Sequence, residues 1–175
     1  TDVWMKKGRE NIFELLIFIH SGEKVNCSDV SFGTYTHNGF KYPKVIIHSD
    51  PTRTVAGSRM YIHAKDVADG LMFILGLKDY THRGDYGNAH CPKFNLVGTE
   101  EIDNLTLARY IANGVGKELI YEMTDFHSSR PGHDMRYALD GGLLKELGWE
   151  PRIKLSERIS EMVQWTLKNE RWLRK

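Results

Sequence analysis

The fold of this chain can be predicted outward from residues 130–140, which read Arg130-Pro131-Gly132-His133-Asp134-Met135-Arg136-Tyr137-Ala138-Leu139-Asp140. The Pro-Gly pair is typical of a tight turn, because proline presets one φ angle and glycine accepts a positive one. Arg130 and Arg136 carry planar donor groups suited to phosphate oxygens, and His133 can add another donor. A solvated turn with local ion pairs is the alternative interpretation of the same residues.

Two helices are predicted after this stretch. Asp140 can cap the first, and Gly148 can end it before the chain turns at Trp149-Glu150-Pro151. The second helix is amphipathic. Its apolar positions at helical spacing are Ile159, Met162, Val163 and Leu167, with Trp165 and Trp172 beside them.

The whole run resembles the C-terminal end of the nucleotide-sugar 4,6-dehydratases, above all the dTDP-glucose 4,6-dehydratases, which are extended short-chain dehydrogenase/reductases. The matching features are the motif Arg-Pro-Gly-His-Asp-x-Arg-Tyr-Ala, the Leu-Gly-Trp-Glu-Pro turn and a terminal helix ending near residues 169–172. In that family an N-terminal Rossmann half binds NAD and carries the catalytic residues, whereas a smaller C-terminal part binds the nucleotide sugar. The resemblance covers only the second part.

The resemblance implies a set of substrate-binding residues. An Arg-x-x-Tyr-like block before a helix, here beginning at Arg59, contacts the nucleotide diphosphate in the family. A Tyr-Asn-x-Gly-Gly-x-Asn-Glu-x-x-Asn segment is matched at four positions, Asn95, Gly98, Glu101 and Asn104, whereas Val97 and Glu100 depart from it. The implied substrate-binding set is Arg59, Asn95, Asn104, Arg130, Gly132 and His133. We expect no catalytic, cofactor-binding or metal residue in this chain, and the resemblance places NAD in the missing N-terminal half.

The predicted fold class is α/β, with a small, partly parallel sheet and packed helices like the C-terminal substrate domain of extended short-chain dehydrogenase/reductases and without the Rossmann half. We expect one domain over residues 1–175. Residues 26–44 are interpreted as an inserted β-hairpin that turns at His37-Asn38-Gly39. The other predicted strands are 45–48, 59–63, 94–98 and 118–123. The other predicted helices are 10–21, one capped by Asp66, and 105–114 capped by Asn104.

Three motifs are interpreted as false signals. Tyr61-Ile62-His63-Ala64-Lys65 spells Tyr-x-x-x-Lys, but chance alone supplies about 0.6 such matches, and the catalytic pairing needs both residues on one helix face. Gly114-Val115-Gly116-Lys117 falls at a predicted helix end, whereas a phosphate loop must open a helix. His82, His90 and Cys91 lack the spacing of a metal site.

Composition excludes several functional classes. With 24 basic and 23 acidic residues among 175, the net charge is +1, so no overall field favours nucleic acid or a membrane surface. No apolar run approaches the ~20 residues of a spanning helix. The two cysteines, Cys27 and Cys91, form no disulfide framework, so reduced thiols and a cytoplasmic location are expected.

The expected function is the nucleotide-sugar (dTDP-glucose-like) binding portion of an NAD-dependent 4,6-dehydratase, a lyase that oxidises C4, loses water across C5–C6 and returns hydride to C6. Such a portion is not expected to catalyse the reaction alone, and a complementing chain carrying the Rossmann half is a possible partner. Two alternatives stay open: a portion of a nucleotide-sugar epimerase, and a stand-alone binding or assembly module that uses residues 26–44.

Overall fold

The computed structural model describes residues 30–37, 40–77, 93–125, 134–169 and 171, with side chains from residue 44 onward. The strands are β1 (Val30–His37), β2 (Phe40–Ser49), β3 (Ser58–Arg59), β4 (Ile102–Asp103), β5 (Tyr121–Asp125) and β6 (Arg136–Tyr137). The helices are α1 (Ala64–Gly76), α2 (Asn104–Val115), α3 (Gly142–Glu146) and α4 (Leu155–Lys168). The predicted helix over 10–21 lies outside the described residues, as do His82, His90, Cys91, Arg130, Gly132 and His133.

The first sheet has the strand order β1-β2-β5. The strands β1 and β2 form an antiparallel hairpin whose register pairs His37 with Phe40, so only residues 38 and 39 separate the paired ends. The predicted hairpin is therefore confirmed. Its second strand runs on without a break through Val45 to Ser49, where it pairs in parallel with β5. The mixed sheet confirms the predicted fold class, while the interpretation of residues 26–44 as an insertion stays a prediction.

A single buried cluster packs α2 and α4 against β2. Val45 and Ile47 alternate along β2 and are 2% and 0% exposed, as expected for the inward face of a strand. The other members are Ala56, Ile102, Leu107, Ala108, Ile111, Ala112, Leu155, Ile159 and Val163. The predicted amphipathic helix is confirmed as α4, with Ile159 and Val163 buried and Trp165 on the exposed side. Because the cluster includes Ile102 of β4, it extends from the first sheet to the second.

The second sheet is small, with the order β4-β3-β6. The strand predicted over 59–63 is only Ser58–Arg59, because the chain leaves the ladder at Met60 to enter the cap of α1. The strand predicted over 94–98 is wrong, since residues 93–98 form neither a strand nor a helix in the structure. The strand predicted over 118–123 exists but begins later, as β5.

The helix caps differ from prediction by one to three residues. His63, and not Asp66, caps α1: its Nδ1 accepts a hydrogen bond from the Lys65 amide at 3.1 Å. Asp103, and not Asn104, caps α2 through the Thr106 amide at 2.8 Å. A cap belongs to the side chain that reaches an unpaired amide of the first turn, and composition alone cannot choose between neighbouring polar residues.

The helix α3 starts and ends close to where the sequence predicts. Asp140 accepts a hydrogen bond from the Gly142 amide at 2.8 Å, although the capping position itself is Gly141. At the other end Gly148 has φ +99°, which favours glycine, and the Trp149 amide bonds back to the Leu144 carbonyl at 2.8 Å. This six-to-one hydrogen bond is that of a Schellman motif, and it agrees with the helix end predicted at Gly148.

The turn from β2 to β3 is organised by Asp50. Its carboxylate accepts hydrogen bonds from the backbone amides of Thr52, Thr54 and Val55. These bonds and the one from the Thr52 hydroxyl, which is the largest cause, lower the pKa of Asp50 to about 2. The turn therefore delivers the chain into β3 in a fixed direction, at the position of Arg59.

Candidate functional site

The strand β3 carries Arg59 and lies between β4 and β6. Its parallel partner is β6, in which Arg136 pairs with Ser58 and Tyr137 pairs with Arg59. The Ser58 amide donates to the Met135 carbonyl at 2.9 Å, and the Met60 amide donates to the Tyr137 carbonyl at 3.3 Å. The end of the 130–140 stretch is thus fixed beside the arginine predicted to bind phosphate.

The side chain of Arg59 stacks on an aromatic ring. Its guanidinium carbon lies 4.2 Å from the ring centroid of Tyr137, which is cation–π geometry. Arg59 is half-buried, whereas Tyr137 is 43% exposed. This contact holds the guanidinium of Arg59 beside the Tyr137 ring and so restricts where it can lie.

Glu101 connects the strands of the second sheet. Its Oε1 accepts from Arg136 Nε at 2.8 Å and its Oε2 from Arg136 Nη2 at 2.7 Å, a two-point contact, while the Ser58 hydroxyl also donates to Oε1. The hydrogen bonds from Arg136, and then that from Ser58, lower the pKa of Glu101, and the same pairing raises the pKa of Arg136. The donor fork of Arg136, interpreted from the sequence as suited to phosphate, is bound by a carboxylate of the protein.

Asn104 is buried and serves the sheet from the first position of α2. It is 4% exposed, and its Oδ1 accepts from the Tyr61 hydroxyl at 2.6 Å. The backbone amide of Asn104 donates to the Gly57 carbonyl at 2.9 Å. These bonds place Asn104 beside β3 and fix both the residue before the strand and the tyrosine after it.

The Tyr61–Lys65 pair has no shared helix face. Tyr61 was predicted to lie in a strand but lies in the connection between β3 and α1, and Lys65 lies in the first turn of α1. Tyr61 bonds to Asn104, and Lys65 forms an ion pair with Glu161. This geometry gives no catalytic dyad of the kind that Tyr-x-x-x-Lys provides on a helix.

Asn95 lies in a different part of the described structure. It is exposed, and its Nδ2 donates to the carbonyl of Asp140 at 2.9 Å. The same segment passes close to neighbouring backbone: a side chain at Gly98 would meet the Tyr61 carbonyl oxygen at 1.8 Å. Gly98 therefore permits the close approach between residues 94–98 and the chain that follows β3.

The structure thus places three of the six predicted site residues. Arg59 lies on β3 and Asn104 on the first residue of α2, directly after the neighbouring strand β4, and Asn95 is bonded to the segment leading into α3. Arg130, Gly132 and His133 lie outside the described residues. Sequence reasoning did not assign Tyr137 or Glu101 a place in the site, although both lie in quoted motifs. The partners of these two residues depend on the register between β3 and β6, which cannot be read from the sequence.

Cofactor and metal binding would depend on how the helices of the described residues begin and on clusters of ligating side chains. Gly114-Val115-Gly116-Lys117 ends α2, and Gly116 has φ +73° at its C-terminal cap, so this motif does not form a phosphate loop, as predicted. The helices α1, α2 and α4 begin after His63, Asp103 and Lys154 and not after glycine-rich loops, so these residues do not fit a dinucleotide. Within the described ranges, no group of three His, Cys, Asp or Glu residues could hold a metal ion. No helix in the part of the chain that the structure describes is long and apolar enough to cross a membrane.

Comparison with known proteins gives consistent relatives. The chain is 26% identical over 153 residues to dTDP-glucose 4,6-dehydratase of Streptomyces niveus, covering 79% of this chain and 41% of that protein. It is 36% identical over 86 residues to the enzyme of the same name from Salmonella typhimurium, covering 46% of this chain and 24% of that protein. The crystal structure of dTDP-glucose 4,6-dehydratase from Bacillus anthracis in complex with NAD matches with a TM-score of 0.51 and 26% identity, covering 75% of this chain and 38% of that one. No protein-family model matches the chain.

These matches, with the fold, make the chain a homologue of the nucleotide-sugar dehydratases of the extended short-chain dehydrogenase/reductase class. Within that class the two relatives named above are dTDP-glucose 4,6-dehydratases, and the predicted resemblance to these enzymes is confirmed. The chain spans about 41% of the length of the Streptomyces niveus relative, and the match fits a C-terminal portion.

Proposed function

We propose that this chain is the nucleotide-sugar-binding portion of an NAD-dependent 4,6-dehydratase, and that it does not catalyse the reaction alone. NAD and the catalytic residues would be supplied by a Rossmann half, either upstream or on a complementing chain. The ligand would be a nucleoside diphosphate sugar such as dTDP-glucose. The relatives and the geometry around β3 support this proposal.

The observation that carries the proposal is the pairing of β3 with β6. It brings Arg59 alongside the segment that directly follows Arg130-Pro131-Gly132-His133 in the sequence. A diphosphate presents several oxygens, and two arginine forks with a histidine are donors of matching number and geometry. The stack on Tyr137 constrains the Arg59 guanidinium in advance, which lowers the entropy lost on binding.

The two asparagines would act differently. Asn95 is exposed, so its amide oxygen can meet the ligand while its Nδ2 stays on the Asp140 carbonyl. Asn104 is buried with its Oδ1 on Tyr61, so we propose that it supports the site by fixing the two ends of β3. Gly132 would let the backbone before β6 approach the phosphates closely, as a residue without Cβ can.

Calorimetric titration of dTDP into the chain and its arginine variants tests the proposal. Each charge-assisted contact contributes on the order of 1.5–3 kcal/mol, so Arg59→Ala and Arg130→Ala should each weaken binding by roughly ten- to a hundredfold. Arg59→Lys should recover only part of the loss, since a point charge cannot make the two-point contact.

Arg109→Ala is the matched control. Arg109 also faces a tyrosine, with its guanidinium carbon 5.8 Å from the Tyr121 ring centroid, but it lies on α2. The control should bind dTDP as the wild type does. Equal dTDP affinities in the wild type, Arg59→Ala and Arg130→Ala would contradict the proposed phosphate site.

A further inference from the structure

We infer that Glu101 is a positioning residue of this site, which holds Arg59 in its binding orientation through the neighbouring residues Ser58 and Arg136. This inference rests on the proposed function, because it concerns the residue proposed to bind the diphosphate. Glu101 directly precedes β4 and bonds to Ser58 on β3 and to Arg136 on β6. One carboxylate therefore joins all three strands of the second sheet.

Strand register connects this carboxylate to Arg59. Ser58 and Arg136, which share Glu101, are direct register partners, and the next pair along the two strands is Arg59 with Tyr137. Successive side chains of a strand point to opposite faces. Glu101 thus fixes the pair on one face, and the stacked arginine and tyrosine project from the other.

The backbone ladder alone gives this pair little support. The strands β3 and β6 are two residues long each, and two of the backbone hydrogen bonds that join them measure 2.9 Å and 3.3 Å. Short strand pairs are marginal in water without further contacts. The two-point bond from Arg136 to Glu101 and the bond from Ser58 are the charge-assisted contacts that hold the register.

The hydrogen bonds to Glu101 favour its charged form, in which it can bind Arg136. Hydrogen bonds from Arg136, followed by that from Ser58, lower the pKa of its carboxyl, so Glu101 is ionised at neutral pH. Replacement by glutamine keeps the shape of the side chain and removes the charge. The bonds to Arg136 then become weaker, and the strand pair is free to shift its register or separate.

The test combines affinity with a direct view of Arg59. We would titrate dTDP calorimetrically into the 175-residue chain as wild type, Glu101→Gln, Arg59→Ala and the double variant. We would also follow the Arg59 Nε–Hε resonance by NMR without ligand. Glu101→Gln should weaken dTDP binding about two- to thirtyfold and shift the Arg59 resonance. In the Arg59→Ala background, Glu101→Gln should not weaken dTDP binding further, because both substitutions act through the Arg59 guanidinium.

Two further variants separate positioning from general stability. Glu150→Gln breaks an exposed ion pair with Lys145, in which the side chains are 62% and 71% exposed, and it should change neither readout. Ser58→Ala removes one of the contacts to Glu101 and leaves Arg136 bound. It should give a smaller shift of the same resonance, and it replaces Glu101→Gln if that variant does not fold.

The outcomes distinguish the two claims. If Arg59→Ala binds dTDP as tightly as the wild type, or the wild type does not bind, the proposed function is wrong, and the Arg59 resonance alone decides whether Glu101 positions it. If Arg59→Ala weakens binding while Glu101→Gln, or Ser58→Ala in its place, leaves both affinity and resonance unchanged, the positioning role is overturned. An additive loss in the double variant would equally contradict it.

Discussion

At the scale of single residues, Gly98 has no space for a side chain. A Cβ there would lie 1.8 Å from the Tyr61 carbonyl oxygen, and a backbone atom cannot move aside as a flexible side chain can. Gly98→Ala should therefore force the 94–98 segment away from Tyr61 and lower the free energy of unfolding by about 3 kcal/mol, measured by chemical denaturation.

Gly76→Ala is the control for this substitution. Gly76 ends α1, and an added Cβ would meet nothing within 4 Å. Alanine should leave stability unchanged or raise it by up to about 1 kcal/mol, since it favours the helix and restricts the unfolded chain. Equal unfolding free energies in Gly98→Ala and the wild type would contradict the close approach seen in the structure.

His63 should make the stability of the chain depend on pH. Burial, followed by the charge of Arg158, lowers the pKa of His63 from its ordinary 6.5, and Nδ1 must stay unprotonated to accept from Lys65. Because the folded-state pKa is lower, the unfolded state binds the proton first as pH falls. The stabilising contribution is therefore complete above pH 6.5 and is lost as pH falls towards the folded-state pKa.

Comparison of wild type with His63→Asn isolates this effect from the other histidines. Asparagine is also a good helix cap and does not titrate, so stability near pH 7.5 should be similar in the two proteins. Thermal unfolding at several pH values between 5 and 7.5 should show a smaller decrease in the variant. Parallel curves for the two proteins would mean that His63 does not contribute.

At the scale of elements, α1 and α4 are joined by a buried ion pair. Arg158 on α4 bonds to both carboxylate oxygens of Asp66 on α1, with a shortest distance of 2.6 Å and side chains that are 13% and 8% exposed. Asp66→Asn leaves a buried guanidinium short of negative charge, although Glu161 keeps one contact at 2.9 Å. We expect a loss of about 3 kcal/mol in the free energy of unfolding, measured with urea.

Lys145→Gln provides the matched control, because it breaks an ion pair between exposed side chains. Lys145 and Glu150 are 3.0 Å apart and remain largely in water, so the change should stay within about 0.5 kcal/mol. An Asp66→Asn variant as stable as this control would show that the Asp66–Arg158 pair does not hold the two helices together.

Elements with a strong period could be predicted from the sequence, and elements defined by long-range pairing could not. Ile159 and Val163 recur at helical spacing, and α4 buries both of them. The segment Phe94-Asn95-Leu96-Val97-Gly98 has the composition of a strand, but it is irregular in the structure. The caps His63 and Asp103 were missed because nearby polar residues offered equally good sequence signals.

The candidate site shows the same division. Arg59 could be found from a local pattern, and its position beside β6 supports the expected role. Its stack on Tyr137 and the bridge from Glu101 depend on register between segments far apart in the sequence. Asn104 shows the converse: its place in a motif suggested contact with substrate, whereas its burial and its bond to Tyr61 lead us to propose that it supports the sheet.

At the scale of the whole molecule, both sheets share one buried cluster, to which β2 contributes Val45 and Ile47 and β4 contributes Ile102. The residues of β3 and β6 that we propose to form the binding site are therefore carried on a packed scaffold. Chemical-shift mapping tests the central claim most directly. On addition of dTDP to the isotopically labelled chain, backbone amide shifts should concentrate at Ser58, Arg59, Arg136 and Tyr137 and leave the exposed face of α4 around Trp165 unchanged. The absence of shifts in β3 and β6 at saturating dTDP, or shifts centred on α4, would contradict the account.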